Sequence, residues 1–92
     1  MTELRDKMIK DMEIRGYSPK TIKNYQEHVM RLAQYFKKSP DLLGENEIYE
    51  YLHYCTTERK LSEGTVNYMH SALKFFYTKT LERGWRVENY HD

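Results

Sequence analysis

The stretch SEGTVNYMHSALKFFYTKTLERG, residues 62–84, decides the fold that we predict for the whole chain. It predicts a helix of about six turns that begins after the N-cap Ser62, whose hydroxyl can accept a hydrogen bond from a first-turn amide. Gly84 lies where a left-handed residue would end this helix. Apolar residues recur on two faces, so we expect neighbours on two sides. The first face carries Val66, Met69, Leu73, Phe76 and Tyr77, and the second carries Tyr68, Ala72 and Phe75.

A polar strip lies beside these apolar faces. Its side chains are Asn67, Ser71, Lys74 and Thr78. A central helix buries its apolar faces against its neighbours, whereas a polar strip remains at the surface. We therefore expect this strip to face solvent or a ligand.

Three further helices are predicted upstream. The first spans residues 2–15 and ends at Gly16. The second spans residues 18–38, with Ser18 as N-cap and proline at the first helical position. The Ser-Pro pair at residues 39–40 ends this helix. The third runs from Gly44 to residue 57. The predicted buried residues are Leu4, Met8, Ile9 and Met12, then Ile22, Tyr25, Val29, Leu32, Ala33 and Phe36, then Ile48, Tyr51, Leu52 and Cys55.

Short connections join these helices. A single turn at residues 41–43 is expected to place both Leu42 and Leu43 against the core. Residues 58–61 form a charged connection, and the residues after Gly84 lack helical periodicity. Four amphipathic helices with short loops and no strand pattern predict an all-α fold, a bundle of four main helices.

Composition limits the functional classes that the chain can belong to. The 92 residues include one cysteine, Cys55, so an internal disulfide is excluded. No Cys/His spacing is typical of zinc, and no segment has the length and apolarity of a membrane span. We expect a cytoplasmic domain with no cofactor, no bound metal and no membrane partner.

The near-neutral net charge of +1 conceals an uneven distribution. Residues 17–38 contain five basic residues and one acid, whereas residues 39–57 contain four acids and no base. Such an asymmetry can mark one binding face, although charged runs are commonly solvated helix surfaces.

No arrangement of residues typical of catalysis is present, so we expect that the chain is not an enzyme by itself. The glycines are scattered and form no phosphate-binding loop. The histidines are expected to be ordinary edge or surface residues; they are His28, His53, His70 and His91.

Two helices begin alike, with serine at the cap and threonine three residues later. Ser18 and Thr21 form one pair, Ser62 and Thr65 the other, and each is followed by Asn and Tyr. A helix N-terminus can bind phosphate, and nearby Thr, Lys and Asn could contact backbone and bases. Simple capping explains the same pattern, so both interpretations stay open.

These motifs resemble the N-terminal core-binding domain of the tyrosine recombinase, or phage integrase, family. The similarity includes GYSPKTIKNYQEHVMRLAQYF (16–36), LSEGTVNYMHSALKFFYTKTLERGW (61–85) and the acidic GENEIYEYL between them, and extends over roughly residues 4–85. The integron-type and Xer-type branches are the most similar. The matching positions are Ser18, Thr21, Ile22, Tyr25, Phe36, Ser62, Thr65, Val66, Asn67, Ala72, Leu73, Phe75 and Phe76.

The resemblance implies a SAM-like orthogonal bundle that forms half of a clamp on double-stranded DNA. Residues 1–85 would be this domain, and 86–92 a tail or linker toward an absent C-terminal catalytic domain of the same parent chain. Helices 18–38 and 62–83 would contact DNA for integration and recombination. The implied contacts are Ser18, Lys20, Thr21, Lys23, Asn24, Thr65, Asn67, Ser71 and Lys74.

The low net charge predicts weak, largely non-specific binding that falls steeply with salt. The domain is expected to be monomeric in isolation, and to form oligomers only on DNA within the full-length protein. An alternative function is a helical protein-interaction module that uses an exposed aromatic face at Tyr68 and Phe75.

Overall fold

Four α-helices form most of the fold in the computed structural model, which describes residues 2–84. Their bounds are α1 Thr2–Ile14, α2 Pro19–Phe36, α3 Glu45–Thr57 and α4 Glu63–Phe75. A 3-10 turn, Pro40–Leu42, lies between α2 and α3, and a π-helical turn, Phe76–Thr80, continues α4. No strand occurs within residues 2–84. The all-α prediction with four main helices is confirmed.

The helix starts follow from local side-chain chemistry. Ser18 and Ser62 are extended N-caps, and the side chain of each accepts a hydrogen bond from the backbone amide three residues on. The start of α3 uses a different partner, since the Gly44 amide donates to Glu47 Oε1 at 2.8 Å. This backbone hydrogen bond lowers the pKa of the Glu47 carboxyl. Ser18 and Ser62 are the N-caps that the sequence predicted, whereas Gly44, predicted as the first residue of α3, is its N-cap.

The helix ends depend on residues in left-handed conformation. Gly16, with φ 79°, ends α1 as predicted, because its amide bonds back to Glu13 and the next amide to Met12. Lys37, with φ 54°, ends α2 in the same way. The predicted end at residue 38 was therefore slightly late, because a lysine takes the role that glycine usually has in this motif.

The end of α4 differs from the prediction. The helix was expected to continue to Arg83 with Gly84 in left-handed conformation, but its last turn widens into the π-turn and ends at Thr80. Glu82, with φ 55°, is the left-handed residue, and the Arg83 amide donates to Tyr77 O at 2.8 Å. The wider turn accompanies burial of the adjacent rings of Phe76 and Tyr77, which are 1% and 2% exposed.

The core is formed by apolar side chains from every helix. Helix α1 contributes the buried side chains of Met8 and Met12. The predicted buried residues of α3 are all buried, including Cys55. The expectation for the 3-10 turn was half wrong. Leu43 is buried, but Leu42 is 69% exposed, because adjacent residues of one tight turn point in different directions.

Four long-range hydrogen bonds fix the end of the bundle. The Tyr77 hydroxyl donates to Pro40 O at 2.5 Å, and Arg83 donates to Leu43 O at 2.9 Å and to Asp41 O. From α1, Lys7 Nζ donates to Thr80 O at 2.6 Å. The π-turn is thus held to both the 3-10 turn and α1.

Two negative findings apply to this part of the chain. None of the helices in residues 2–84 combines the length and apolarity needed to cross a membrane. The same residues contain no group of three or more His, Cys, Asp or Glu side chains that could hold a metal ion.

Candidate nucleic-acid interface

Helices α2 and α4 pack side by side in opposite directions, and aromatic rings fill the line between them. Tyr17 lies 5.4 Å from Phe75, Tyr25 lies 5.4 Å from Tyr68, and His28 lies 5.5 Å from Tyr68, measured between ring centroids. The residue numbers of the contacting rings increase along α2 while those on α4 decrease, so the two helices are antiparallel. We call this line of rings, and the surface directly above it, the seam.

The second apolar face of α4 is covered by this packing. Ala72 and Phe75 are buried, and the guanidinium of Arg15 lies over the Phe75 ring at 5.5 Å. Tyr68 keeps 37% of its surface exposed. The two-sided contact expected for α4 is therefore observed. The exposed aromatic pair required by the protein-interaction alternative is not, because Phe75 is only 7% exposed.

Polar side chains border the seam on the α4 side. Asn67, Ser71 and Lys74 are all exposed, and Thr78 is half-buried. Residues three and four apart lie on one face of a helix, so these side chains form a row beside Tyr68. The polar strip predicted for this helix is confirmed as solvent-accessible.

A second row borders the seam on α2. Thr21, Asn24, His28 and Arg31 follow each other at helical spacing, and the first three are half-buried while Arg31 is exposed. Lys20 is exposed at the start of the row. Within residues 2–84, neither Lys20 nor Arg31 forms a salt bridge, so their charges are available to an anion.

Lys23 does not belong with this row. It is exposed, but it lines a cleft of about 480 Å³ between α2, α1 and the π-turn, together with Arg5, Met8 and Phe76. The helical spacing places Lys23 on the flank of α2 away from α4. The structure thus separates Lys23 from the row of Thr21 and Asn24.

The two serine caps share one geometry. Ser18 Oγ accepts from the Thr21 amide at 3.2 Å and donates to Thr21 Oγ1 at 3.0 Å. Ser62 Oγ makes the same two bonds to Thr65, at 3.2 and 2.9 Å. Both serines therefore have a capping role. Each threonine hydroxyl accepts from its serine, which leaves its own proton for an acceptor outside the helix.

These two helix starts lie at opposite ends of the seam, because α2 and α4 are antiparallel. They do not form one phosphate site together. Instead, Ser18, Lys20 and Thr21 share an end with Lys74, whereas Thr65 and Asn67 lie toward the other end. A ligand that touched all of them would have to be extended.

His28, Arg31 and Tyr68 are seam residues that the prediction of contacts missed. The His28 ring packs edge-to-face on Tyr68, and its buried Nδ1 has no hydrogen-bond partner in the described structure. Burial is the main cause that lowers the pKa of His28; Arg31 lowers it further, and Glu27 opposes this effect. The signal in the sequence was the continued spacing from Asn24 through His28 to Arg31.

Helix α3 carries three acids and no base, whereas α2 carries a single acid, Glu27. Glu45 and Glu50 are exposed on α3, and none of the predicted contacts is on that helix. Charge is therefore separated between the seam and α3. Separation of this kind favours an approach of polyanions from the seam side.

Comparison with known proteins gives consistent results. Residues 4–87 match the family described as phage integrase, N-terminal SAM-like domain. The chain is 41% identical over 85 residues to "Putative integrase/recombinase y4qK" of Sinorhizobium fredii, an alignment covering 92% of this chain and 28% of that protein. It is 43% identical over 47 residues to "Putative integrase/recombinase y4eF" of the same organism, covering 51% and 19%. No solved structure matches significantly. The alignment with y4qK covers most of this chain but only roughly a quarter of that relative.

Proposed function

The chain belongs to the family of phage integrase N-terminal SAM-like domains, and we propose that it is the DNA-binding clamp domain of a site-specific recombinase. The observation that carries this proposal is the seam: two antiparallel helices present polar and basic side chains along one surface. The relatives named as integrase/recombinases support a role in DNA integration and recombination.

The dimensions of the seam suit duplex DNA. From Ser18 to Arg31, α2 extends about 20 Å at about 1.5 Å per residue. The major groove is about 12 Å wide. A surface of this length can therefore reach the phosphates on both sides of a groove while its middle faces base edges.

Each predicted contact then has a role set by its chemistry. Lys20, Lys74 and the hydroxyl groups would bind phosphate, and the amides Asn24 and Asn67 have the donors and acceptors that read base edges. Ser18 would act through its backbone and through Thr21. Lys23 would contact DNA only where a strand also passes over the α1 side of α2.

Catalysis would belong to another part of the parent protein. We propose that residues 1–85 form the clamp half and that residues 86–92 lead toward a catalytic domain of the same chain. The share of the relative's length that is matched supports this arrangement. The domain alone would be monomeric and would form oligomers only on DNA within the full-length protein.

A DNA titration tests the proposal. Isotope-labelled protein is titrated with a short duplex at about 50 mM salt and then at about 200 mM. We expect weak binding, with chemical-shift changes along the seam that the higher salt reverses. Changes confined to α3, or none at low salt, would contradict the proposal.

A charge-reversal pair adds a matched control. The double variant Lys20→Glu with Lys74→Glu should weaken binding strongly and leave the helical content unchanged. The control, Lys10→Glu with Lys38→Glu, makes the same change of net charge off the seam, on α1 and beside Met30 and Gln34. Equal losses in both variants would mean that only net charge matters and that the seam is not the binding surface.

A further inference from the structure

We propose that His28 is a further DNA contact of the seam and makes DNA binding by this domain dependent on pH. This inference rests on the proposed function, because it assigns a regulatory residue to the same surface. The histidine was expected to be an ordinary edge residue. Its position, packing and hydrogen bonding give it a more specific role.

The position of His28 is central in the seam. It lies between Asn24 and Arg31 in the row on α2, and across from it α4 contributes Tyr68. Tyr68 also packs edge-to-face on Tyr25 at 5.4 Å, so the imidazole lies against a ring that is itself fixed. A phosphate held by Arg31 would lie within reach of the outer edge of the imidazole.

The two ring nitrogens of His28 have different surroundings. Nδ1 is buried and has no partner in the described structure, so it faces the protein. Nε2 is on the other edge of this half-buried ring and is not among the buried atoms without a partner, so we infer that it faces the surface. In the neutral tautomer with the proton on Nε2, the side chain presents an N–H donor outward and keeps only a lone pair inside.

Protonation of His28 is unfavourable in the free domain. The second proton would sit on Nδ1, where no acceptor is present, and the ring would carry a partly buried charge beside Arg31. Only Glu27, on the same helix, favours the charged form among the described residues, while α4 contributes the uncharged ring of Tyr68. Burial and Arg31 therefore keep the pKa of His28 below its ordinary value.

Bound DNA would reverse this preference. A phosphate near Nε2 adds negative charge next to the ring, which stabilises the imidazolium and raises its pKa. Since binding then includes uptake of a proton, affinity increases as the pH falls. Each unit by which DNA raises the pKa permits at most about a tenfold gain in affinity.

The test compares DNA affinity at about pH 7.5 and about pH 5.5, by fluorescence anisotropy with a labelled duplex at low salt. The proteins are the unmodified chain, His28→Gln, and His53→Gln as the matched control, since His53 is exposed on the acidic α3. Gln keeps an outward amide donor but cannot titrate. We expect several-fold tighter binding at the lower pH for the unmodified chain and the control, and a much smaller change for His28→Gln.

A second measurement does not depend on any variant. The pKa of His28 in the unmodified chain is read from its ring proton shifts by NMR, with and without the duplex. We expect DNA to raise it. An unchanged pKa, or equal pH dependence in His28→Gln, would overturn the inference while salt-reversible binding left the proposed function intact; absence of binding at every pH would overturn both.

Discussion

At the residue scale, one side chain often has two roles in this molecule. Ser18 and Ser62 each accept the bond from an amide and donate a bond to a threonine hydroxyl. The first bond stabilises the helix start, and the second uses the threonine oxygen only as an acceptor, so that the threonine proton can be donated elsewhere. The capping and DNA-contact interpretations of the Ser-x-x-Thr pattern therefore do not compete, because they concern different atoms.

The capping role predicts a specific loss of stability. Ser62→Ala removes the acceptor for the Thr65 amide and should lower the free energy of unfolding by about 1 kcal/mol. Urea denaturation followed by circular dichroism measures this change. Ser71→Ala, an exposed change in the middle of the same helix, is the control and should stay within about 0.5 kcal/mol. Equal effects of the two changes would show that the cap contributes nothing of its own.

Lys37 gives a prediction of the opposite sign. The left-handed backbone of this residue costs about 1–2 kcal/mol for a side chain with a Cβ atom, and glycine would remove that strain. The greater freedom of glycine in the unfolded chain offsets only part of this stabilisation. Lys37→Gly should therefore raise the free energy of unfolding by about 0.5–1 kcal/mol. Lys38→Gly removes the same charge without relieving strain and should not stabilise. A destabilised Lys37→Gly protein would contradict this account of the α2 terminus.

At the element scale, the helix starts were predictable, whereas the end of α4 was not. The starts depend on caps that the sequence displays, such as Ser18 with Pro19 after it. The end of α4 depends on tertiary contacts, because the π-turn is held by bonds from Tyr77 to Pro40 and from Lys7 to Thr80. Partners 37 and 73 residues apart are not visible in a local pattern, so glycine was wrongly expected to end this helix.

The π-turn contact is testable through its buried hydroxyl. Tyr77→Phe removes one donor to Pro40 O and leaves that carbonyl with the Leu43 amide alone, which should cost about 1 kcal/mol of unfolding free energy. Amide exchange should also quicken at Leu43, whose amide belongs to the same 3-10 turn. Tyr35→Phe, at a ring that is 41% exposed, is the control and should change neither quantity. Unchanged exchange in Tyr77→Phe would mean that packing alone holds the turn.

At the scale of the whole molecule, the sequence predicted the helices of the site better than its surface. Helical spacing placed the row on α4 correctly, because one helix determines it. Spacing alone could not show that Lys23 lies on the α1 side of α2, or that His28 and Tyr68 are in contact. Both facts depend on which helix packs against each side of α2. Only the protein-interaction alternative placed Phe75 on an exposed face, and packing against Tyr25 of α2 covers it.

The separation of charge between the seam and α3 predicts two different effects of charge on DNA binding. Residues that bind phosphate determine how steeply affinity falls with salt, and removing one of them reduces the slope by close to one unit. Residues that act only through the field of the molecule change affinity and leave the number of bound phosphates unchanged. Salt titrations of matched variants therefore distinguish direct binding from steering.

Neutralising α3 tests this distinction. Glu45→Gln with Glu50→Gln removes two exposed acids and leaves the capping carboxylate of Glu47 in place. Weaker repulsion should tighten DNA binding a few-fold at low salt, and because salt screens exposed charges, this gain should disappear as the salt concentration rises. Lys20→Glu with Lys74→Glu should instead reduce the slope by about two. A gain in affinity that persists undiminished at high salt would mean that DNA contacts α3, and the seam would then not be the only surface that binds it.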